Sequence, residues 1–261
     1  MEYNFSEDLK SIREILGFSQ SELAEKIGVE QVTISRTELK KTEPSARLLE
    51  AVYSFAFDKN IKINKLKEMF WRDDLGANEK LLFHGAKTEI DGEIDIHKGR
   101  KNNDFGQGFY LTTSKEQAES FLRTSIAKAI ATGTIEEGQK FGYISTFEFK
   151  LSENLETHIF ENADVDWLHC IAAHRKKKMF IEVEREMARY DIIAGKIADD
   201  ATNATLTAYL AGAFGTAGDK EADDFCIRQL LPNKLKDQYC FKTEAAIKCL
   251  KFVKGEKIWL K

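Results

Sequence analysis

The chain has 261 residues, 43% of them hydrophobic, with a formal net charge of −4 and a pI near 5.9. Such a composition supports a packed core and excludes wholesale disorder, and the length suits one large domain or a small one joined to a medium one. The negative balance excludes a global attraction to nucleic acid, so any such contact must come from a local patch.

Residues 7 to about 72 repeat apolar positions at helical spacing. Leu9, Ile12, Ile15 and Leu16 make one face, and Leu23, Ala24 and Ile27 a second. Val32 and Ile34 begin a third, and Leu48, Leu49, Val52 and Phe55 make a fourth. Gly28 falls where a sharp turn would need it, and Pro44 with Ser45 marks the entry of the last of these helices. The polar stretch "WRDDLGANEK" (71–80) marks a boundary, giving domains 1–74 and 75–261. The start "MEYNFSEDLK" is acidic and has no apolar run, so no secretory signal is expected. "LTAYLAGAFGTAG" is too short and too glycine-rich for a membrane span. Cys170, Cys226, Cys240 and Cys249 lack metal-finger spacing and read as buried reduced thiols. These readings predict a cytoplasmic protein with no metal and no membrane partner.

Beyond residue 80 the texture changes. "KLLFHGA", "GFYLTT", "FGYISTFEFKL", "RYDIIAGKIA" and "DQYCFKT" read as strands. "SKEQAESFLRTSIAKAIATG" reads as a helix with a capping box from Ser114 to Gln117 and a stop at Gly133. "DVDWLHCIAAHRKKK" and "NATLTAYLAGAF" are also helical. Strands and helices mix without a regular βαβ rhythm, so the fold class is α+β rather than a doubly wound sheet.

Within this region "DFGQGFYLTTSKEQAESF" (104–121) invites comparison with known chemistry. A kinase is excluded, because no HRD loop precedes the DFG and the His174-Arg175 pair lacks its Asp. "AGKIADD" is not a phosphate-binding loop, and Gly106 and Gly108 open a strand where a dinucleotide fold would open a helix.

Two resemblances carry further expectations. "LKSIREILGFSQSELAEKIGVEQVTISRTELKKTEPSARLLEAVYSFA" resembles the helix-turn-helix of phage-repressor-like and xenobiotic-response-type regulators. That likeness implies duplex DNA as a partner, with Gln31, Thr33 and Arg36 facing bases or phosphates and Gln20 the backbone. Thr37 replaces the family's usual Trp and Lys40 its usual glycine, and Glu30 adds a negative charge near the phosphates. A bundle for dimerisation or for holding a partner is the alternative.

"LFHGA", "FGQGFYLTTSKEQAESF" and "DQYCFKTEAAIKCLKF" are similar, in order, to the three signature elements of the ADP-ribosyltransferase fold. The likeness is to its His-Tyr-Glu branch, which includes the poly(ADP-ribose) polymerases and toxin-like bacterial relatives. It implies a split β-sheet, NAD as co-substrate and a macromolecular acceptor, either protein or nucleic acid. It implies that His84 holds the adenosine ribose and the Gly85 backbone the carboxamide. Tyr110 and Phe121, eleven residues apart, would clamp the nicotinamide ring while the two glycines let the backbone pass close to it. Gln238 stands where the family has its catalytic Glu, and so offers hydrogen bonds without the charge. Asp199 and Asp200 either supply that charge or cap a helix beginning near Asn203. "HRKKK" (174–178) either grips a phosphate-rich acceptor or is a solvated face. The expected activity is mono-ADP-ribosylation by a toxin- or effector-like enzyme that carries its own DNA-binding module, acting with a homodimer or antitoxin partner. The alternatives are an NAD-sensing transcription regulator without catalysis and an NAD glycohydrolase.

Overall fold

A computed structural model describes residues 4–90, 93–135, 141–176, 178–197, 200–230 and 235–259. The chain forms two compact units, residues 1–75 and 76–261.

The first unit is all helical: α1 (Phe5–Ile15), α2 (Gln20–Ile27), α3 (Gln31–Glu38), α4 (Ala46–Asp58) and α5 (Ile63–Asp74). Local chemistry sets the boundaries. Ser19 and Glu22 form a reciprocal capping box on α2, and Gly28, in the left-handed region at φ 69°, closes it. Ser45 accepts from the Leu48 N–H to start α4. The apolar faces of α1 to α4 meet at Leu9, Ile12, Leu23, Ile34 and Val52, which are fully buried. Ile15 and Val32, expected on core faces, are exposed, because those faces turn past the small core.

Lys40 explains the glycine usual at its position. It follows α3 at φ 54°, in the left-handed region that costs a side-chain-bearing residue about 1 kcal/mol or more. Its ion pair with Glu7, at 3.3 Å from Lys40 Nζ, is well exposed and contributes little. Lys40→Gly is therefore expected to stabilise this unit by roughly 0.5–1 kcal/mol in a urea titration. A destabilised variant would show that the ion pair outweighs the backbone strain.

The second unit is a mixed seven-stranded sheet with helices, in the strand order β4-β5-β6-β2-β1-β3-β7. The strands are β1 (Glu79–Ala86), β2 (Phe109–Thr112), β3 (Phe141–Lys150), β4 (Thr157–Ile159), β5 (Ile192–Lys196), β6 (Asp237–Phe241) and β7 (Leu250–Trp259). The helices are α6 (Lys115–Ala131), α7 (Val165–Arg175), α8 (Ile181–Met187), α9 (Asp200–Leu210), α10 (Lys220–Leu230) and α11 (Glu244–Ile247). Among the strands of the described residues, β4 and β5 alone pair in parallel. The architecture is the expected α+β arrangement.

Period-two alternation sorts the strand residues onto two cores. Phe109, Leu111, Ile192, Ala194, Tyr239 and Phe241 face one core with Leu82, Phe147 and Phe149. Tyr110, Ile193 and Cys240 face the other, where Trp167, Leu168 and Ile171 of α7 meet Tyr209 of α9 and Cys226 of α10. Ser114 caps α6 by accepting from the Gln117 N–H, but the capping box is half-formed, since the Ser114 N–H donates to Thr112 Oγ1 instead. The cysteines Cys170, Cys226 and Cys240 are buried, Cys249 is half-buried, and all four are free thiols.

The sheet has a weak seam. β1 pairs with β3 along its whole length, from Glu79 opposite Lys150 to Ala86 opposite Tyr143. Against β2 it forms a single register pair, Phe83 opposite Thr112. Beyond that pair the strands part, and the His84 ring reaches across to the Tyr110 carbonyl at 2.7 Å. A side chain thus bridges where a backbone ladder would otherwise continue.

Candidate functional site

In the first unit, α3 presents its N-terminal half on the surface. Arg13 Nε and Nη2 donate to the two Glu38 carboxylate oxygens at 2.7 and 3.2 Å, a forked pair that fixes the end of α3 against α1. Gln20 Nε2 donates to Glu38 Oε2 at 2.7 Å, and Gln31 Nε2 donates to Gln20 Oε1 at 2.8 Å. The relay runs from the Arg13–Glu38 pair to an exposed carboxamide at the first residue of α3. It orients Gln31 so that Oε1 and the second N–H are offered outward, the donor–acceptor pair that an adenine edge accepts. Thr33 is half-buried and Arg36 is exposed on the same short helix. Gln20 and Gln31, proposed from the sequence pattern, are thus brought together, while Thr37 is buried beneath the helix.

In the second unit the predicted residues gather on three neighbouring strands. His84 is on β1, Tyr110 on β2, and Gln238 on β6, opposite Thr112. His84 is half-buried, and its ring lies 4.5 Å from the Phe109 ring. A carbonyl can only accept, so Nδ1 must carry the proton toward Tyr110, and the imidazole's Nε2 is left as an acceptor. Burial pushes the pKa of His84 below its ordinary value, against the opposing pull of the Tyr110 carbonyl, which keeps the ring neutral near pH 7.

Tyr110 points to the opposite face from His84, toward Cys240 and the α7 core. Its hydroxyl donates to the Gly106 carbonyl at 2.8 Å and accepts from the Phe105 N–H at 2.9 Å. The loop before β2 is therefore fastened to the tyrosine that ends it. The glycines of this loop serve protein packing rather than leaving an open path. Gly106 sits at φ 84°, where an added Cβ would lie 2.8 Å from the His174 ring, and one on Gly108 would lie 2.6 Å from Cys240 Sγ. Gly85 is closed off in the same way by α6, since a Cβ there would meet the Ala118 carbonyl oxygen at 2.4 Å. Phe121 lies on α6 with 62% of its surface exposed, and no ring contact joins it to Tyr110 among the described residues.

Gln238 is buried at the centre of a polar network. Its Nε2 donates to Asp104 Oδ2 at 2.8 Å and, more weakly, to the Lys196 carbonyl at 3.4 Å. Asp104 Oδ1 accepts from Arg175 Nε at 2.8 Å and Nη2 at 2.6 Å, and Arg175 Nη1 donates to Asn203 at 2.9 Å. Sequence reasoning missed Asp104 and treated Arg175 as part of a basic run. The "HRKKK" stretch is corrected accordingly: Arg175 is an internal ion-pair partner, Lys176 donates to the Leu210 carbonyl, and neither is a free phosphate grip. α9 begins at Asp200, earlier than the expected start near Asn203. Asp199 and the Asp200 side chain lie outside the described residues.

A second polar cluster ties α7 to α10. His169 Nε2 lies 2.7 Å from Asp223 Oδ2, the Tyr209 hydroxyl donates to Asp223 Oδ1 at 2.5 Å, and the His169 ring stacks on Phe180. Every member is engaged within the helical layer, so the cluster acts as a fastener for the wall behind Tyr110. No cluster of His, Cys, Asp and Glu able to hold a metal occurs among the described residues. None of the described helices is long and apolar enough to cross a membrane.

No curated protein and no solved structure matches the chain. Residues 9–52 match a helix-turn-helix family model, covering the relay from Arg13 to Gln31 and the helices that carry it. Residues 81–252, about two thirds of the chain, match a model that runs from β1 through the seam, the Gln238 network and into β7. On that match the chain belongs to the DUF3990 family, described as proteins of unknown function, here joined to an N-terminal helix-turn-helix.

Proposed function

We propose that the second unit is an NAD-dependent mono-ADP-ribosyltransferase acting on a macromolecular acceptor, with the helix-turn-helix as its DNA-binding regulatory module. The observation that supports it most is the sheet order. The three motifs of the resemblance lie far apart in sequence, yet they fall on the adjacent strands β1, β2 and β6, beside a seam where β1 and β2 part.

On this reading NAD passes through the seam, so that the neutral His84 on one face accepts a ribose hydroxyl through Nε2, and Gln238 Oε1, on the Tyr110 face, accepts the hydroxyl of the ribose that reacts. The bond between the ribose anomeric carbon and the nicotinamide nitrogen breaks, and nicotinamide leaves with the electron pair. A nucleophile of the acceptor then bonds to the anomeric carbon and releases its proton. Positive charge develops on the ribose in between, and fixed acceptors around it lower the barrier. Gln238 brings no anion to activate a ribose hydroxyl as a further acceptor, so one ADP-ribose unit per site is expected. The exposed Phe121 ring is free to cover the nicotinamide face.

Incubating the full chain with labelled NAD and a bacterial lysate tests the reading. Labelled macromolecule carrying single units supports it. Free ADP-ribose alone makes the protein a glycohydrolase, and binding without turnover makes it a sensor.

The first unit is read as a duplex-DNA binder of operator type, on the strength of the Gln20–Gln31 relay. Arg36 is exposed near the proposed phosphate path. Arg36→Ala is expected to weaken binding to the DNA upstream of the gene and to reduce the slope of log affinity against log salt by about 1. An unchanged salt slope would remove Arg36 from the interface.

A further inference from the structure

The residue that departs from the transferase pattern, Gln238, is not held as a free amide. Both partners of its Nε2, Asp104 Oδ2 and the Lys196 carbonyl, can only accept. The carboxamide nitrogen must therefore face inward. Oε1 makes no hydrogen bond among the described residues and is not one of their buried, unpartnered atoms. It is left as the group available to a ligand.

We infer that Asp104 is a positioning residue, held by Arg175 and oriented so that Gln238 presents an acceptor oxygen in the way a glutamate would. The two oxygens of the Asp104 carboxylate have different partners. Arg175 donates twice to Oδ1, and Oδ2 accepts from the Gln238 amide. A glutamate at 238 would set two carboxylates against each other at 2.8 Å, an arrangement that traps a shared proton. A glutamine in that place is thus the complement of Asp104, and the anion has moved one side chain away. Asp104 and Gln238 are 134 residues apart, and the loop that carries Asp104 is pinned by the Tyr110 hydroxyl. The tyrosine and the glutamine of the motif are thereby coupled through one turn of chain.

The consequence for the reaction rests on the transferase reading, and the orientation does not. Asp104→Asn makes the distinction sharp. Arg175 demands an oxygen, so the new amide nitrogen must occupy the δ2 position and face Gln238. Gln238 must then turn over, sending Oε1 inward and NH2 outward. In the wild-type chain, selectively labelled with 15N-glutamine, the two Gln238 side-chain protons should exchange slowly with solvent. In Asp104→Asn they should exchange fast. Rapid exchange in the wild type, or unchanged protection in the variant, overturns the orientation whether or not NAD is a substrate.

For turnover, Asp104→Asn is expected to lower kcat for NAD cleavage on the order of tenfold to a hundredfold, with KM changed little. Gln238→Glu alone should also be slow, with a pH profile displaced upward by the shared proton. The double variant Asp104→Asn with Gln238→Glu restores a donor facing an acceptor, and it should recover to within about tenfold of wild type. Wild-type kcat in Asp104→Asn, or a double variant no faster than either single one, would overturn the positioning role. A wild-type chain inert toward NAD would instead refute the transferase reading, while proton exchange still decides the orientation.

Discussion

Replacing Gln238 by alanine is expected to lower the rate of NAD cleavage by roughly tenfold to a thousandfold, the range seen when one transition-state hydrogen bond is lost. The side chain is buried on β6, with its nitrogen committed to Asp104 and its oxygen unpaired among the described residues. Its removal takes away the acceptor and also leaves Asp104 Oδ2 without that donor. The two effects separate experimentally. Loss of the acceptor acts on kcat, whereas loosening of the loop acts on thermal stability and on KM. Gln238→Leu keeps the volume and should lose turnover to the same extent as alanine with less loss of stability. Full activity in both variants would mean that the β6 motif does not touch the reacting ribose.

Arg175→Met should destabilise the second unit by about 3 kcal/mol, the usual cost of leaving one partner of a buried ion pair alone. The two side chains are 18% and 9% exposed, so little water reaches Asp104 to compensate for the lost guanidinium. Met preserves much of the stem packing, which makes the charge the main change. Urea unfolding should show the transition of residues 76–261 at a lower midpoint while that of residues 1–75 stays in place. A loss below about 1 kcal/mol would show that the pair is screened like a surface bridge. The double variant Arg175→Met with Asp104→Leu should recover part of the loss, since the unpaired charge is gone while the Gln238 amide is left with only the Lys196 carbonyl.

The helix-turn-helix was largely legible in the sequence, because its information is local. Apolar residues at three- and four-residue spacing and the Gly28 turn act within a turn of chain, and apart from Ile15 and Val32 the apolar residues of the four faces pack as the spacing predicts. The strands carrying His84, Tyr110 and Gln238 were legible for the same reason, as short apolar runs bounded by glycine or polar residues. β4 and α8 were missed, since a three-residue strand and a seven-residue helix leave too short a pattern. α10 and β7 also went unread. α10 buries a narrow stripe, Ala222, Cys226 and Leu230, interrupted by the buried charge of Asp223, and β7 is an edge strand with several exposed residues.

Tertiary structure alone decided the rest. Strand order is set by which apolar faces can be covered together, and so the placement of β6 beside β2 and of β1 across a seam could not be read from any one segment. It put the His84 ring and the Tyr110 ring on opposite faces, although both residues carry the same motif pattern. It turned an apparent basic run into the internal partner of Asp104. The missing glutamate was visible as a single letter in the chain. The carboxylate that stands behind its replacement was not, because a buried charge is chosen by the neighbours that desolvate and pair it, and those neighbours come from α7 and β6, 71 and 134 residues away.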